Sequence, residues 1–246
     1  MSVLVIGAGQ IGQAIYEILK PFHEVYMRDL EDISFDGVKT LHICYPDSVN
    51  FVSHTRDYIE EYKPELTLIH SSISPGKTRL CGQHVVHCPA RGRHPKLTLE
   101  IPAFSIFVGA ANMDDATKAC TYLEGCGLVT KPVNDPNATE LCKLLSNVHM
   151  GLEIAWRQEV GRILKMRGVP ASVYEAWEDS YNLGYRVTGN EQLTRPLMRP
   201  DPIGGHCILE CLRILSAQHP SPLLDWIKES NGKAKREAGR PVAATV

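Results

Sequence analysis

The sequence has little of what marks several large classes of protein. Its 246 residues carry a formal net charge of only −2, and no long apolar run interrupts the mixed composition. A helix that spans a bilayer needs ~20 apolar residues, so we expect no membrane partner. The balanced charge gives no electrostatic reason to expect a nucleic acid. No basic leader with a cleavage site precedes the first apolar segment, so we expect no signal peptide and a cytoplasmic location.

The eight cysteines do not form a disulfide or metal pattern. They are scattered through apolar segments, and no C-x-x-C pair occurs among them. A chain of this length can build a core without disulfides, so reduced thiols are the better interpretation. The spacing matches no common metal-ligand motif, and we therefore expect no bound metal.

A glycine-rich turn is the first positive feature. A short apolar segment at 2–6 is followed by G-A-G-Q-I-G at 7–12 and then by the apolar pattern of a helix. In this context the first glycine permits a tight turn, the second lets a pyrophosphate approach the backbone, and the third lets the helix pack on the strand. The helix N-terminus offers free N–H groups to phosphates. We predict a dinucleotide site formed by Gly7, Gly9, Gln10, Ile11 and Gly12.

The end of the second predicted strand indicates which dinucleotide is bound. The strand at 23–27 leads to Asp29, whose carboxylate can accept hydrogen bonds from both ribose hydroxyls. This favours NAD as the cofactor. Arg28 is adjacent and could instead hold a 2′-phosphate, so NADP stays open as the alternative.

The ends of later strands supply further candidates. Ligands of a parallel sheet lie at the carboxyl ends of its strands, where Pro46, Ser71 and Ser72 occur. We expect Pro46 and Ser72 at the cofactor and Ser71 at the substrate. The alternative for the serine segment is a plain helix start, because Ser74 precedes Pro75.

A basic loop follows the strand at 84–87. It contains Arg91 and His94, which could clamp a carboxylate or a phosphate of a small-molecule substrate. A solvated surface loop is an equally good interpretation of the same residues.

Strands and helices alternate up to about residue 133, which predicts an α/β fold with a doubly wound parallel sheet of the Rossmann type. We assign 1–133 to this domain and 134–228 to a small all-α domain for dimerisation and substrate. The segment 229–246 shows no periodicity and is expected to be a flexible tail.

A long amphipathic helix is predicted at 138–167, and it places Lys143 and Asn147 on one face. A helix of ~30 residues is ~45 Å long, which exceeds the width of a small domain. We therefore expect a homodimer through this helix.

Four segments in order resemble the 6-phosphogluconate dehydrogenase-like superfamily, and most closely its UDP-glucose and UDP-N-acetylmannosamine dehydrogenases. The first is the glycine turn. The second, H-S-S-I-S-P-G-K-T at 70–78, is similar to the family segment S-T-V-x-P-G-T-T. The third, E-L-C-K-L-L-S-N at 140–147, is similar to E-x-x-K-x-x-x-N, and the fourth, I-G-G-H-C-I at 203–208, is similar to G-G-H-C-I.

The resemblance implies an NAD-dependent dehydrogenase that oxidises an alcohol of a small or sugar-like substrate. By it, Lys143 would assist proton transfer and Asn147 would orient water or substrate. Cys207 would attack an aldehyde intermediate, and a second hydride transfer would give the acid. The same segments would place Glu140 and His206 at the substrate. A thiolate at a helix start and a desolvated lysine are both suited to such roles.

The sequence also departs from that family. The resemblance implies a further domain that completes the nucleotide-sugar site, which we do not expect within these 246 residues. Cys211 stands where the resembled family has an acidic residue, four positions after the cysteine. Two other functions therefore stay open. One is a two-electron dehydrogenase of the β-hydroxyacid type, in which Cys207 does no covalent chemistry. The other is a non-redox Rossmann protein that binds a nucleotide or resembles a methyltransferase.

Overall fold

The computed structural model describes residues 2–31 and 33–239, without the side chain of His206. Its contacts divide the chain into two compact units, and the boundary along the chain lies between Leu144 and Leu145. This division lies further along the chain than the predicted one at 133/134. The reason is that the first residues of the long helix hydrogen-bond to loops at the edge of the sheet, as described below.

The described residues of the first unit form seven strands and five complete α-helices, followed by the start of a longer helix. The strands are β1 (Ser2–Ile6), β2 (Glu24–Arg28), β3 (Thr40–Ile43), β4 (Leu66–Ile69), β5 (Val85–His87), β6 (Ile106–Gly109) and β7 (Thr130–Val133). They form one sheet in the order β2-β1-β3-β4-β5-β6-β7. The helices are α1 (Gln10–Leu19), α2 (Phe51–Tyr62), α3 (Lys77–Cys81), α4 (Leu97–Glu100) and α5 (Met113–Glu124).

The residues of β1 show why helices cover both faces of this sheet. Successive strand side chains point to opposite faces. Val3 and Val5 join a buried cluster with α1 and α5. Leu4 and Ile6 join a second cluster with α2 and α3. The predicted α/β class with a doubly wound sheet is therefore confirmed.

The sheet is not parallel throughout, which corrects the prediction. β2, β1, β3, β4 and β5 pair in parallel, but β5 meets β6 through one antiparallel pair, His87 with Gly109. A parallel crossover needs a connection that returns the chain to the other edge of the sheet. The connection at 88–105 is long enough for such a crossover, but its helical part consists only of the four-residue α4 and a short 3₁₀ turn, Ile101–Ala103. α4 spans roughly 6 Å and is too short to form the usual crossover helix. The chain enters β6 in the direction opposite to β5.

Helix α6 (Pro136–Met166) begins in the first unit and continues into the second. The second unit also contains α7 (Ala171–Val187), α8 (His206–Gln218) and α9 (Pro222–Glu237). The prediction of a long helix followed by a helical region is confirmed. No helix among the described residues combines the length and the apolar character needed to cross a bilayer.

Helix α9 corrects the prediction of a flexible tail from residue 229. It starts with a serine cap at Ser221, whose side chain accepts from the Leu223 amide, and has Pro222 in its first turn. Its buried face combines Leu224 and Ile227 with polar residues further along. Those polar residues hide the apolar period in the sequence. The predicted tail at 240–246 lies outside the described residues.

Candidate active site

The glycine turn after β1 has the geometry that a dinucleotide site requires. Gly7 has φ +99°, and a Cβ at Gly12 would lie 1.8 Å from the carbonyl oxygen of Gly7. Both positions therefore need glycine. A Cβ at Gly9 would meet no atom within 4 Å, and Gly9 and Gln10 are exposed. Ile11 instead packs against the core. The turn is thus open at Gly9, where the prediction places the pyrophosphate.

Helix α1 presents its N-terminus at this turn. Gly9 is its N-cap, and no side chain in the described part of the chain caps its first N–H groups. These groups and the positive end of the helix dipole favour an anion. Asp29 lies beside them, since its Oδ1 accepts a hydrogen bond from the Ala8 amide at 3.2 Å. The carboxylate is exposed, in the position expected for a ribose partner.

The guanidinium of Arg28 forms contacts within the protein that compete with binding of a 2′-phosphate. Its Nη1 donates to both carboxylate oxygens of Glu61, at 2.8 and 3.0 Å, and to the Tyr62 hydroxyl at 2.6 Å. The guanidinium also lies over the Tyr58 ring, 5.3 Å from its centroid. Its charge is therefore largely satisfied by α2, which favours NAD over NADP as the ligand of this turn.

Two carboxylates hold the loop that follows β4. Asp47 accepts from the amide of Ser74 at 3.1 Å and from its hydroxyl at 2.7 Å, and it forms an ion pair with Lys77. Glu140 is fully buried and accepts from the amides of Gly76 and Thr78, the latter at 2.8 Å. The loop is thus fixed from both sides.

The position of Glu140 does not fit its expected role in substrate binding. Both its oxygens accept from the loop, and the Thr78 hydroxyl is a further donor. Burial raises the pKa of its carboxyl group, and the donors of Thr78 and Gly76 oppose that shift. Ser71 is also buried, and its hydroxyl donates to the Tyr45 carbonyl at 2.6 Å. Both residues hold loops together rather than face a ligand.

Lys143 lies where α6 meets the end of β5. Its Nζ donates to the Ala90 carbonyl at 2.8 Å, and the side chain is half-buried. One turn earlier, Thr139 bonds to His87 at 2.9 Å, and a Cβ at Gly109 would lie 2.4 Å from the Thr139 hydroxyl. The start of α6 is therefore packed tightly against the strand ends, which places the amine of Lys143 at the carboxyl edge of the sheet.

The other predicted residues of the first unit lie in exposed or half-buried loops. Pro46 is exposed after β3, and Ser72 is half-buried after β4. Arg91 and His94 are exposed in the loop after β5, where the Arg91 guanidinium lies over the Phe104 ring at 4.9 Å. The neighbouring Arg93 pairs with Glu100, so this loop is less basic than its sequence suggests.

The first unit contains three buried histidines that were not among the predicted site residues. His42, His70 and His87 lie in or directly after β3, β4 and β5, among apolar residues. His87 Nε2 donates to the Ser71 carbonyl at 3.1 Å, so its Nδ1 accepts from Thr139. Burial lowers the pKa of His87 to about 3. The only signal in the sequence is the occurrence of histidine inside strand patterns.

His42 and His70 form a directed chain of hydrogen bonds with Tyr122. His70 Nδ1 donates to the Cys88 carbonyl at 3.0 Å, so its Nε2 must accept from His42 Nδ1 at 2.8 Å. His42 Nε2 then accepts from the Tyr122 hydroxyl at 3.0 Å. Every polar atom is satisfied only while both rings are neutral. Burial accordingly lowers the pKa of His70 to about 4 and that of His42 well below its usual value.

The second unit contains Asn147 and Cys207. Asn147 is half-buried, and its Nδ2 donates to the sulfur of the buried Cys211 at 3.2 Å. Cys207 is partly exposed in the first turn of α8. The side chain of His206 lies outside the described part of the structure. Among the described residues, no group of three or more potential ligand side chains could hold a metal ion.

Comparison with known proteins finds no family model that matches the chain. UDP-N-acetyl-D-mannosamine dehydrogenase of Methanococcus vannielii is 28% identical over 185 residues, which are 70% of this chain and 39% of that protein. The protein of the same name from Methanocaldococcus jannaschii is 25% identical over 185 residues, 72% of this chain and 40% of its own. The chain therefore spans about two fifths of the length of these relatives.

Solved structures of dehydrogenases share the fold. The UDP-D-ManNAc dehydrogenase of Pyrococcus horikoshii has a TM-score of 0.78 at 18% identity, over 97% of this chain and 70% of that one. The 3-hydroxyisobutyrate dehydrogenase of Mycobacterium tuberculosis has a TM-score of 0.67 at 14% identity, over 97% of this chain and 94% of that one. Together with the sequence relatives, they confirm the resemblance to UDP-sugar dehydrogenases.

Proposed function

We propose that this chain is an NAD-dependent dehydrogenase that oxidises an alcohol of a small or sugar-like substrate. One observation carries the proposal. The open glycine turn and Lys143 belong to the ends of β1 and β5, and parallel strands bring their carboxyl ends to one edge of the sheet. The names of the sequence relatives support the same class of reaction.

The residues at the glycine turn after β1 fit the pyrophosphate and the ribose of NAD. Gly9 leaves room for the pyrophosphate, α1 offers uncapped N–H groups, and Asp29 presents an exposed carboxylate for the ribose. Bound at this turn, NAD would supply the acceptor for the hydride. Gln10 and the exposed Pro46 lie at neighbouring strand ends, where they would complete the cofactor site together with Ser72.

Lys143 would take up the proton of the substrate hydroxyl as the alcohol is oxidised. The Ala90 carbonyl fixes the direction of its amine, which reduces the motion needed in the reaction. Asn147 would orient water or substrate with its amide oxygen, because the one bond from its amide nitrogen to Cys211 sets the direction of the amide group. Cys207, partly exposed at the start of α8, would add through sulfur to the carbon of an aldehyde product, whose C=O would become C–OH by taking up the thiol proton.

A two-electron dehydrogenase of the β-hydroxyacid type is the second candidate. The observation that favours it is Cys211, a buried thiol that stands four positions after Cys207 where the resembled family has an acid. In this case the product would be an aldehyde or ketone and Cys207 a spectator. Incubation with UDP-N-acetylmannosamine, UDP-glucose and 3-hydroxyisobutyrate, followed by product analysis, separates the two. An acid formed with two NADH per substrate supports the covalent route.

We predict that NADH binds at least about tenfold more tightly than NADPH. A tenfold ratio of affinities corresponds to about 1.4 kcal/mol of binding free energy. The Asp29 carboxylate favours ribose hydroxyls and repels a 2′-phosphate, while Arg28 is occupied by Glu61. Fluorescence titration of both nucleotides measures the ratio, and Asp29→Ser should reduce it. Absence of binding by either nucleotide at millimolar concentration would refute the proposed function in favour of a non-redox protein.

Two glycine substitutions should separate folding from cofactor binding. Gly12→Ala should destabilise the protein, because its Cβ would overlap the Gly7 carbonyl oxygen. Gly9→Ala should leave the melting temperature nearly unchanged, because its Cβ meets nothing in the protein, yet it should weaken NADH binding about tenfold or more by blocking the approach of the pyrophosphate. Thermal melts and NADH titration test both. Equal NADH affinity in Gly9→Ala would contradict this binding mode.

We also propose a homodimer formed through α6, in a cytoplasmic protein. Helix α6 exposes large apolar side chains in the second unit, among them Met150 and Trp156, which is 52% exposed. Light scattering at micromolar concentration should give twice the mass of the chain. Trp156→Glu should shift the protein toward the monomer, whereas Lys228→Glu on α9 serves as the matched surface change. A monomeric unmodified protein would exclude the dimer.

A further inference from the structure

We propose that Gln158 and Asn231 are positioning residues that fix the turn carrying Cys207. The inference rests on the proposed function insofar as Cys207 is taken to act there. Asn231 belongs to α9, in the part of the chain where the sequence predicts a flexible tail from residue 229. The second unit would therefore use α9 to hold the Cys207 thiol in place.

Two buried amides hold the segment just before the turn. Asn231 Oδ1 accepts from the Ile203 amide at 2.8 Å, and Gln158 Nε2 donates to the Asp201 carbonyl at 2.9 Å. Asn231 is 5% exposed and Gln158 is 3% exposed. A backbone amide and a carbonyl on either side of Pro202 are thus satisfied by side chains from two different helices.

Ser230 sets the orientation of the Gln158 amide. Its hydroxyl lies 2.9 Å from Gln158 Oε1 and 3.2 Å from the Ala155 carbonyl, and it accepts from Arg162 Nη2 at 2.6 Å. With its oxygen facing Ser230, the amide of Gln158 must turn its NH₂ group toward Asp201. Adjacent residues of α9, Ser230 and Asn231, therefore act on the same short segment.

The start of α8 is held from the other side of the turn. A Cβ at Gly151 of α6 would lie 2.8 Å from Ile208 Cγ2, and Ile203 and Ile227 lie within 4.0 Å of the same point. The helices can approach this closely only because residue 151 is glycine. Ile208 directly follows Cys207, so packing fixes the chain immediately after the thiol.

Between these two anchors the chain is pliable. Gly205 has φ +79°, and a Cβ there would meet no atom within 4 Å. Two consecutive glycines impose little on the direction of the following helix. The place of the Cys207 thiol is therefore set by the anchors at Asp201, Ile203 and Ile208. If the Asn231 anchor is removed, the turn gains freedom and the half-buried thiol becomes more accessible.

Alkylation with iodoacetamide, resolved by peptide mass spectrometry, tests this without NAD or substrate. We expect Asn231→Ala to raise the rate at Cys207 at least about fivefold, the equivalent of one lost hydrogen bond. Asn231→Asp keeps an acceptor for the Ile203 amide and should restore the original rate. Because no catalytic activity is needed, the outcome does not depend on whether the protein proves to be a dehydrogenase.

Asn182→Ala is the matched control. Asn182 is likewise buried and bonds the backbone of Arg195 through both amide atoms, at 2.9 and 2.8 Å, so its loss should destabilise the protein at least as much. In Asn182→Ala the alkylation rate of Cys207 should stay within about twofold of that in the unmodified protein, because Asn182 anchors a different segment. Equal rates at Cys207 in Asn231→Ala and Asn182→Ala would overturn the proposal.

Unfolding of the second unit is recognised in the same experiment from its fully buried Cys211, which should stay unlabelled in a folded variant. If Cys211 is labelled as well in Asn231→Ala, the variant Gln158→Leu is used instead. Gln158→Leu removes the hydrogen bond from Gln158 to the Asp201 carbonyl. It should likewise raise the alkylation rate of Cys207 at least about fivefold. A rate at Cys207 that matches Asn182→Ala would again reject the proposal.

Discussion

Replacement of Lys143 by alanine should lower kcat for NAD-dependent alcohol oxidation by about 10²–10⁴-fold, the usual contribution of a positioned acid–base group. The amine is fixed by the Ala90 carbonyl at the carboxyl edge of the sheet, where the proposed cofactor turn also lies. The measurement is the rate of NADH formation with the most active of the three substrates named above. NADH affinity should change little, because no part of the glycine turn is altered.

Lys165→Ala is the matched control for this prediction. Lys165 is a lysine of the same helix, but it is exposed in the last turn of α6. Its removal should leave kcat within about twofold. If Lys143→Ala retained turnover at the level of Lys165→Ala while its circular dichroism stayed unchanged, the acid–base role of Lys143 would be wrong.

The three buried histidines should make the fold unusually sensitive to acid. In the unfolded chain a histidine has a pKa near 6.5, whereas burial lowers the pKa of His70 to about 4 and of His87 to about 3. At pH values between the folded and unfolded pKa of each histidine, the unfolded state binds more protons than the folded state. The free energy of unfolding therefore falls as the pH falls. Each group contributes about 1.4 kcal/mol per pH unit. With His42, the free energy of unfolding should fall by about 3–4 kcal/mol between pH 6 and pH 5.

A loss of that size is a large part of the ~5–15 kcal/mol that stabilises a typical domain. Urea unfolding at pH 7, 6 and 5 measures the slope. His87→Gln keeps a donor for the Ser71 carbonyl but does not titrate, so the slope should decrease by about 1.4 kcal/mol per pH unit. His54→Gln, at an exposed position of α2, should leave it unchanged. An unaltered slope in His87→Gln would show that this ring does not stay neutral on folding.

The sequence was sufficient for the features that follow from local pattern. The glycine turn, Asp29 and the helix with Lys143 could be identified because each depends on a short motif with a fixed spacing. The reversal at β6 could not, because the direction of a strand depends on the path of the connection at 88–105, which no local pattern specifies. Helix α9 was missed because Ser230 and Asn231 occupy its buried face in place of apolar residues.

Side-chain roles were the least predictable part of the site. Glu140 belongs to the motif that also contains Lys143, yet it is fully buried and holds the loop at Gly76 and Thr78. The pairing of His42 with His70 depends on strand order, which places β3 beside β4. Such partners are separated along the chain and become apparent only when the sheet is assembled.

The pairing of Arg28 with Glu61 has a consequence for how cofactor choice could change. The two residues are 33 positions apart, and Glu61 lies at the end of α2 rather than in the glycine turn. Substitution of Glu61 by an uncharged residue would leave more of the guanidinium charge uncompensated beside the ribose position. A switch of preference toward a phosphorylated dinucleotide could therefore begin with a mutation remote in sequence from the motif, before Asp29 itself is altered.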